Sequence, residues 1–238
     1  MTELEQKELK ENIQQVQFRI AEAAKRAGRN AEDIQLVAAT KMNSSERVQA
    51  AIQAGIKTAG ENRVQELLDK YAENAYAGAD LHFIGTLQTN KVKFLMGKVS
   101  LIQSVGSEKL GRYISKEAQK CGICQDVLLE VNIGEESAKS GLPPEILEET
   151  ICQLCVLPGI HIRGLMAIPP ISHAHGENLR YFDRMRQLFI DISEKRYDNV
   201  SMDYLSMGMS GDFEDAIACG ANMVRVGTAI FGLRPYMR

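Results

Sequence analysis

The sequence predicts an α/β fold: a single-domain (β/α)8 TIM-like barrel over residues 1–238, with an extra N-terminal helix. Three observations predict it. Eight short β-rich runs alternate with helix-period segments over about 200 residues, the pattern of a parallel sheet with helical crossovers. No Pro/Gly/Ser linker or low-complexity segment breaks the alternation. AIQAGIKTAG (51–60) and AIACGANMVRVG (216–227) also share a helix–glycine–strand plan, an internal echo of the repeating unit. A doubly wound open sheet is the alternative. It wants G-x-G-x-x-G after its first strand, and none stands there.

Each element has a local reason. Over residues 3–27, Leu9, Ile13, Val16, Ile20, Ala23 and Ala27 recur at steps of three and four, which predicts an amphipathic helix closed by Gly28. Acids crowd its start, and Lys25 and Arg26 sit near its end, complementing the helix dipole. IQLVAAT (34–40) reads as the first strand, and Asn43 with Glu46 three residues later as a capping-box-like helix start. KTAGEN (57–62) and LHFIG (81–85) are the next strands, with a helix between them and a short helix over about 89–97. VSLIQSV (99–105) precedes a helix from Ser107 to Cys121, where Gly122 has the place of a C′ glycine. DVLLEVNI (126–133) leads to a helix after Pro143 and Pro144, and IHIRGLMAI (160–168) to a long helix over about 176–196. MDYLSMG (202–208) is the seventh strand. Ser210 then reads as the cap of a helix with Asp212, Glu214 and Asp215 in its first turn, and NMVRVG (222–227) is the eighth strand.

Composition narrows the function. The chain is 45% hydrophobic and 25% charged, with net charge -3, which is not the basic footprint of a nucleic-acid binder. No apolar run reaches the roughly 18 residues of a membrane span. The acidic, polar start MTELEQKELKENIQQ does not read as a signal peptide, so a cytoplasmic protein with reduced cysteines is expected. Cys121/Cys124 and Cys152/Cys155 have the C-x-x-C spacing of a zinc site. Cys152 and Cys155, however, fill out the apolar pattern of PEILEETICQLCVL as small core residues. HAH at 173–175 reads as an exposed loop.

In a barrel the site lies at the C-terminal ends of the strands. Reading those ends collects Lys41, Glu61-Asn62, Gly85-Thr86, Ser104, Asn132, Met166, Ser206 to Ser210, and Arg225-Gly227-Thr228. SMGMSGD (206–212) and RVGTAIFG (225–232) follow strands seven and eight, the usual phosphate cradle of such barrels. Their glycines also suit plain tight turns. Lys41 ends LVAATK (36–41). It is either a strand end reaching water or an amine whose proton is loosened by desolvation, able to condense with an aldehyde. An amine and a phosphate cradle across one opening suit pyridoxal 5′-phosphate, which carries an aldehyde at one end and a phosphate at the other. Arg225 shares a strand face with Gly227, so it points inward and needs a partner. That partner is a carboxylate of the chain or the ring nitrogen of a bound pyridoxal. In the second case the arginine keeps the nitrogen unprotonated and the ring a poor electron sink.

At these residues the chain resembles the pyridoxal phosphate homeostasis protein family, from about Leu9 to Arg234. The resemblance rests on LVAATK, TAGENRVQE (58–66), LHFIGTLQTNK (81–91), IQSVGSEKL (102–110), EVNIGEESAKSG (130–141), IRGLMAIPP (162–170), LSMGMSGDFEDAI (205–217) and RVGTAIFG. It departs in having TAGEN for the commoner FGEN and no glycine-rich loop after strand seven. The resemblance implies a fold like the N-terminal barrel of alanine racemase and pyridoxal phosphate held as a Schiff base on Lys41. It implies phosphate contacts from Ser206, Ser210, Gly227 and Thr228, a ring-nitrogen contact from Arg225, and further lining from Asn62, His82 and Met166. It also implies a non-catalytic or regulatory role in intracellular vitamin B6 and, indirectly, amino-acid homeostasis.

Racemases of this fold add a second, β-rich domain, whereas this chain is expected to stop at LRPYMR after IFG. An opposite-face acid or base would then fall to Tyr204 or His82. A monomer is expected, with pyridoxal-dependent apoenzymes as recipients of the cofactor. A weakly active amino-acid racemase and a lysine-dependent aldolase acting on a sugar phosphate are the alternatives.

Overall fold

The computed structural model describes residues 1–136, 140–170 and 176–232. HAH at 173–175 and LRPYMR lie outside the described residues, as does part of EESAKSG. Eight parallel strands close into a barrel in sequence order: β1 (Gln35–Ala39), β2 (Thr58–Glu61), β3 (Asp80–Phe83), β4 (Leu101–Val105), β5 (Gln125–Val131), β6 (Ile160–Ala167), β7 (Val200–Ser206) and β8 (Met223–Val226). Around them run α1 (Glu3–Arg26), α2 (Ser45–Gln53), α3 (Val64–Ala72), α4 (Glu108–Lys120), α5 (Leu147–Leu154), α6 (Leu179–Lys195), α7 (Phe213–Ala218) and α8 (Thr228–Phe231). The segment after β3 is a 3-10 helix, Thr89–Phe94.

The extra helix α1 carries a capping box: Glu5 N donates to Thr2 Oγ1, and Thr2 N donates to Glu5 Oε2. It lies beside the short α8 and α7 and is tied to them by Arg19 to Glu214 at 3.0 Å and Asn12 Nδ2 to Ile230 O at 3.1 Å. The core has two shells. The larger fills the space between sheet and helices. The smaller, Val37, Ile84, Leu101, Leu128, Met166 and Met223, plugs the barrel itself, with Ala39, Ile168 and Tyr204 packed on it.

Several sequence expectations need correction. Ser44, not Asn43, caps α2, accepting from Arg47 N at 3.3 Å. Asn43 Nδ2 donates instead to Lys41 O at 3.1 Å. Ser210 does not cap α7. Asp212 has that position, and its Oδ1 accepts from Met209 N at 2.7 Å. Cys152 is exposed and Cys155 half-buried, because α5 is short and turns only Leu147, Thr150, Ile151 and Leu154 inward. Among the described residues no cluster of three or more His, Cys, Asp or Glu could hold a metal, and no helix is long and apolar enough to cross a membrane.

Candidate functional site

Register builds the site. Val37 of β1 pairs with Arg225 of β8, and Ala38 with Val226. Val37 and Ala39 face the inner plug, and Lys41, half-buried, stands two residues beyond Ala39 in the turn that follows β1. On β8 the matching row is Met223, Arg225, Gly227. A Cβ added at Gly227 would come within 3.4 Å of Ala39 Cβ, so the two rows touch at the mouth. The turn that carries Lys41 and the loop that carries Gly227 therefore follow neighbouring strands at the same end of the barrel.

The nest beside Lys41 is built from backbone. Ser210 Oγ accepts from Gly227 N at 3.2 Å and from Ala229 N at 3.3 Å. Two N–H groups at the start of α8 thus point at one oxygen, with Thr228 exposed beside them. The approach of β7 needs glycine: Gly208 has φ +89, and a Cβ there would lie 2.6 Å from Ala216 Cβ.

Below the nest Arg225 is buried, and the desolvation pushes its guanidinium down to about 10, still protonated at neutral pH. It donates to Ser206 Oγ at 2.5 Å and Ala167 O at 2.9 Å, while Glu130 and Asp212 act on it only through space. The intramolecular carboxylate partner considered from sequence is therefore not the one it uses. Ser206, expected among the phosphate contacts, is fully buried and committed elsewhere: its hydroxyl donates to Gln103 Oε1 at 2.6 Å and takes up Arg225. Gln103 Nε2 in turn meets His82 Nδ1 at 2.9 Å. Burial pushes His82 down to about 4, so it sits neutral at the end of this chain. Met166 is fully buried in the plug and forms floor, not wall.

Glu130, on the inner row of β5, has its carboxyl raised by burial, against a hydrogen bond from Ser140 at 2.8 Å and the field of Arg225. Asn62 follows β2, and its backbone is so close to Gly85 that a Cβ there would lie 2.1 Å from Asn62 O. Among the described residues, Asn62 Oδ1 is buried without a hydrogen-bond partner, and so is Ser104 Oγ near the end of β4. Tyr204 packs against the plug under Arg163, 5.2 Å from its ring centroid. Sequence reasoning missed Gln103 altogether. A Gln-Ser pair inside the buried strand LIQSV was the available signal.

Residues 8–235 match the alanine racemase N-terminal domain model. The pyridoxal phosphate homeostasis protein of Aquifex aeolicus is 45% identical over 226 residues, covering 95% of this chain and 98% of the relative. The chain belongs to the pyridoxal phosphate homeostasis protein family. A protein from Bifidobacterium adolescentis, described as unknown, superposes with TM-score 0.91 at 37% identity over 97% of both chains. PipY of Synechococcus elongatus PCC7942, solved with pyridoxal phosphate bound, has TM-score 0.78 at 32% identity, covering 90% of this chain and 100% of PipY.

Proposed function

We propose that this protein binds pyridoxal 5′-phosphate as a holder and regulator of the intracellular cofactor pool, not as a catalyst. The observation that carries the reading is the shared opening of Lys41 and the Ser210/Gly227 nest, with Arg225 beneath them. The residues fit the group. The N–H groups of Gly227 and Ala229, drawn toward one point by Ser210 Oγ and with Thr228 beside them, suit a phosphate that would take over from that hydroxyl. Arg225, oriented by Ser206, presents a donor suited to a ring nitrogen. Asn62 and Ser104 offer oxygens that lack partners, and His82 and Met166 support the floor.

Lys41 would hold the cofactor through its amine, which would condense with the aldehyde carbon with loss of water. Pyridoxal phosphate supplies an electron sink when its ring nitrogen is protonated, and a guanidinium facing that nitrogen opposes the proton. Arg225 thus favours storage over turnover, in a single-domain, cytoplasmic monomer that passes cofactor to apoenzymes and so affects amino-acid metabolism.

The test is a visible spectrum of purified protein before and after borohydride, with peptide mapping. The protein is expected to be yellow, the reduced cofactor to map to Lys41, and Lys41→Ala to be colourless. A wild type that stays colourless after incubation with pyridoxal phosphate would end the proposal.

A further inference from the structure

The turn that carries Lys41 is held from outside the barrel. Lys70 of α3 is buried and spends all three donors: on Thr40 O at 2.9 Å, Glu61 Oε2 at 2.8 Å and Glu66 Oε1 at 2.7 Å. Glu66 Oε1 also accepts from Met42 N at 2.5 Å. The carbonyl one residue before Lys41 and the N–H one residue after it therefore end on the same Lys70–Glu66 ion pair. Met42 sits at φ 61, a left-handed conformation that a methionine rarely adopts without restraint. Glu61 closes the bracket. Its Oε2 accepts from Thr40 Oγ1 at 2.9 Å and from the Tyr76 hydroxyl at 3.2 Å, and its Oε1 accepts from Asn62 N at 2.9 Å. One network thus fixes the ends of both β1 and β2, the two neighbouring segments that present Lys41 and Asn62.

Placing three charges between a strand and a helix is costly, and well-packed apolar residues would fill the space at least as stably. What apolar packing cannot do is grip a carbonyl and an N–H two residues apart. We propose that Lys70, clamped by Glu61 and Glu66, is a positioning residue that fixes the peptide planes flanking Lys41 and so sets the aim of its amine. The inference rests on the reading of Lys41 as the residue that bonds the cofactor. Lys70 itself touches no ligand.

The clamp makes a prediction that a merely stabilising ion pair does not. In Lys70→Met the borohydride-trappable bond to Lys41 forms about tenfold to hundredfold more slowly, the cost of a misaimed nucleophile. Affinity for pyridoxine 5′-phosphate, which has the ring and phosphate but no aldehyde, is retained. In the cofactor-free protein, hydrogen exchange at Met42 N–H accelerates. Glu66→Gln, at the more exposed end of the pair, shows the same pattern more weakly and serves where Lys70→Met does not fold. With the bond mapped to Lys41, an unchanged bonding rate, or equal losses of rate and of pyridoxine 5′-phosphate affinity, overturns the clamp alone. A bond mapped to another lysine overturns the proposed function as well.

Discussion

At the N-terminal end of the barrel, Arg163 bridges Asp126 at 2.6 Å and Asp203 at 2.5 Å, His161 Nδ1 meets Asp126 at 3.3 Å, and Ser201 Oγ meets His161 Nε2 at 3.2 Å and Asp203 at 2.6 Å. Every charge in that cluster has an opposite partner. At the C-terminal end, Arg225 is buried against a hydroxyl and a carbonyl, and Asn62 and Ser104 keep oxygens without partners. Both ends belong to the same strands. One end satisfies itself and closes the barrel. The other keeps buried polar groups without partners among the described residues, which suits the proposed binding mouth.

The largest effect expected from this contrast is pH dependence at the buried base of the upper chain. His82 has a folded value of about 4 against 6.5 unfolded. Between them the unfolded chain takes up a proton that the folded chain refuses. Stability is therefore full above the unfolded value and falls as pH drops toward the folded one, by about 1.4 kcal/mol per pH unit and about 3 kcal/mol in all. Glu130, raised by burial, works in the opposite sense as pH rises above its unfolded value. The comparison must therefore be His82→Gln against wild type. Unfolding free energies from urea titration, followed from about pH 7 down to about pH 4.5, should show wild type losing roughly 2–3 kcal/mol relative to the variant. Parallel curves would show that His82 titrates as it does in water.

Next comes Arg225→Met. Cofactor-free stability should change little, because removing the cost of a buried guanidinium offsets the loss of its hydrogen bonds to Ser206 Oγ and Ala167 O. Affinity for pyridoxine 5′-phosphate should fall about tenfold to hundredfold, the worth of one charged hydrogen bond. A variant that unfolds while keeping its affinity would reverse the assignment of the two ends.

Arg163→Met is the counterpart at the closed end. It strands Asp126 and Asp203 near one another. Since all three side chains are partly exposed, the loss should be about 1–2 kcal/mol, or a few degrees of melting temperature. Ligand affinity should not change. Reduced affinity at unchanged stability would break the comparison.

The contrast also explains what was legible in the sequence. Strand positions were, because β-rich runs bounded by glycines and caps carry their own signal. The eight inferred strands overlap the eight observed ones throughout. Lys41 and Arg225 were legible as charges at the ends of apolar strands. The clamp was not: Glu66 and Lys70 stand four apart on α3, a spacing that suits any surface ion pair, and nothing local tells that the ammonium turns inward to Thr40. Ser210 misled for a related reason. A serine before an acidic turn looks like a cap until tertiary structure offers it the N–H groups of Gly227 and Ala229.

The smallest effect is the most direct probe of incompleteness. Ser104→Ala removes a single buried oxygen that has no partner. In a self-satisfied cluster such a deletion orphans the neighbouring group and destabilises the fold. Here there is no neighbour to orphan among the described residues, and the desolvation cost of the hydroxyl disappears with it. The cofactor-free variant should therefore melt at or above wild type, by up to about 1 kcal/mol. If the oxygen serves a bound ligand, the same change should reduce the ligand-induced rise in melting temperature, since a neutral hydrogen bond contributes about 0.5–1.5 kcal/mol. The sign change between the two states is the decisive reading. A cofactor-free loss of stability would mean that Ser104 is bonded in the native protein and belongs with the closed end, not with the mouth.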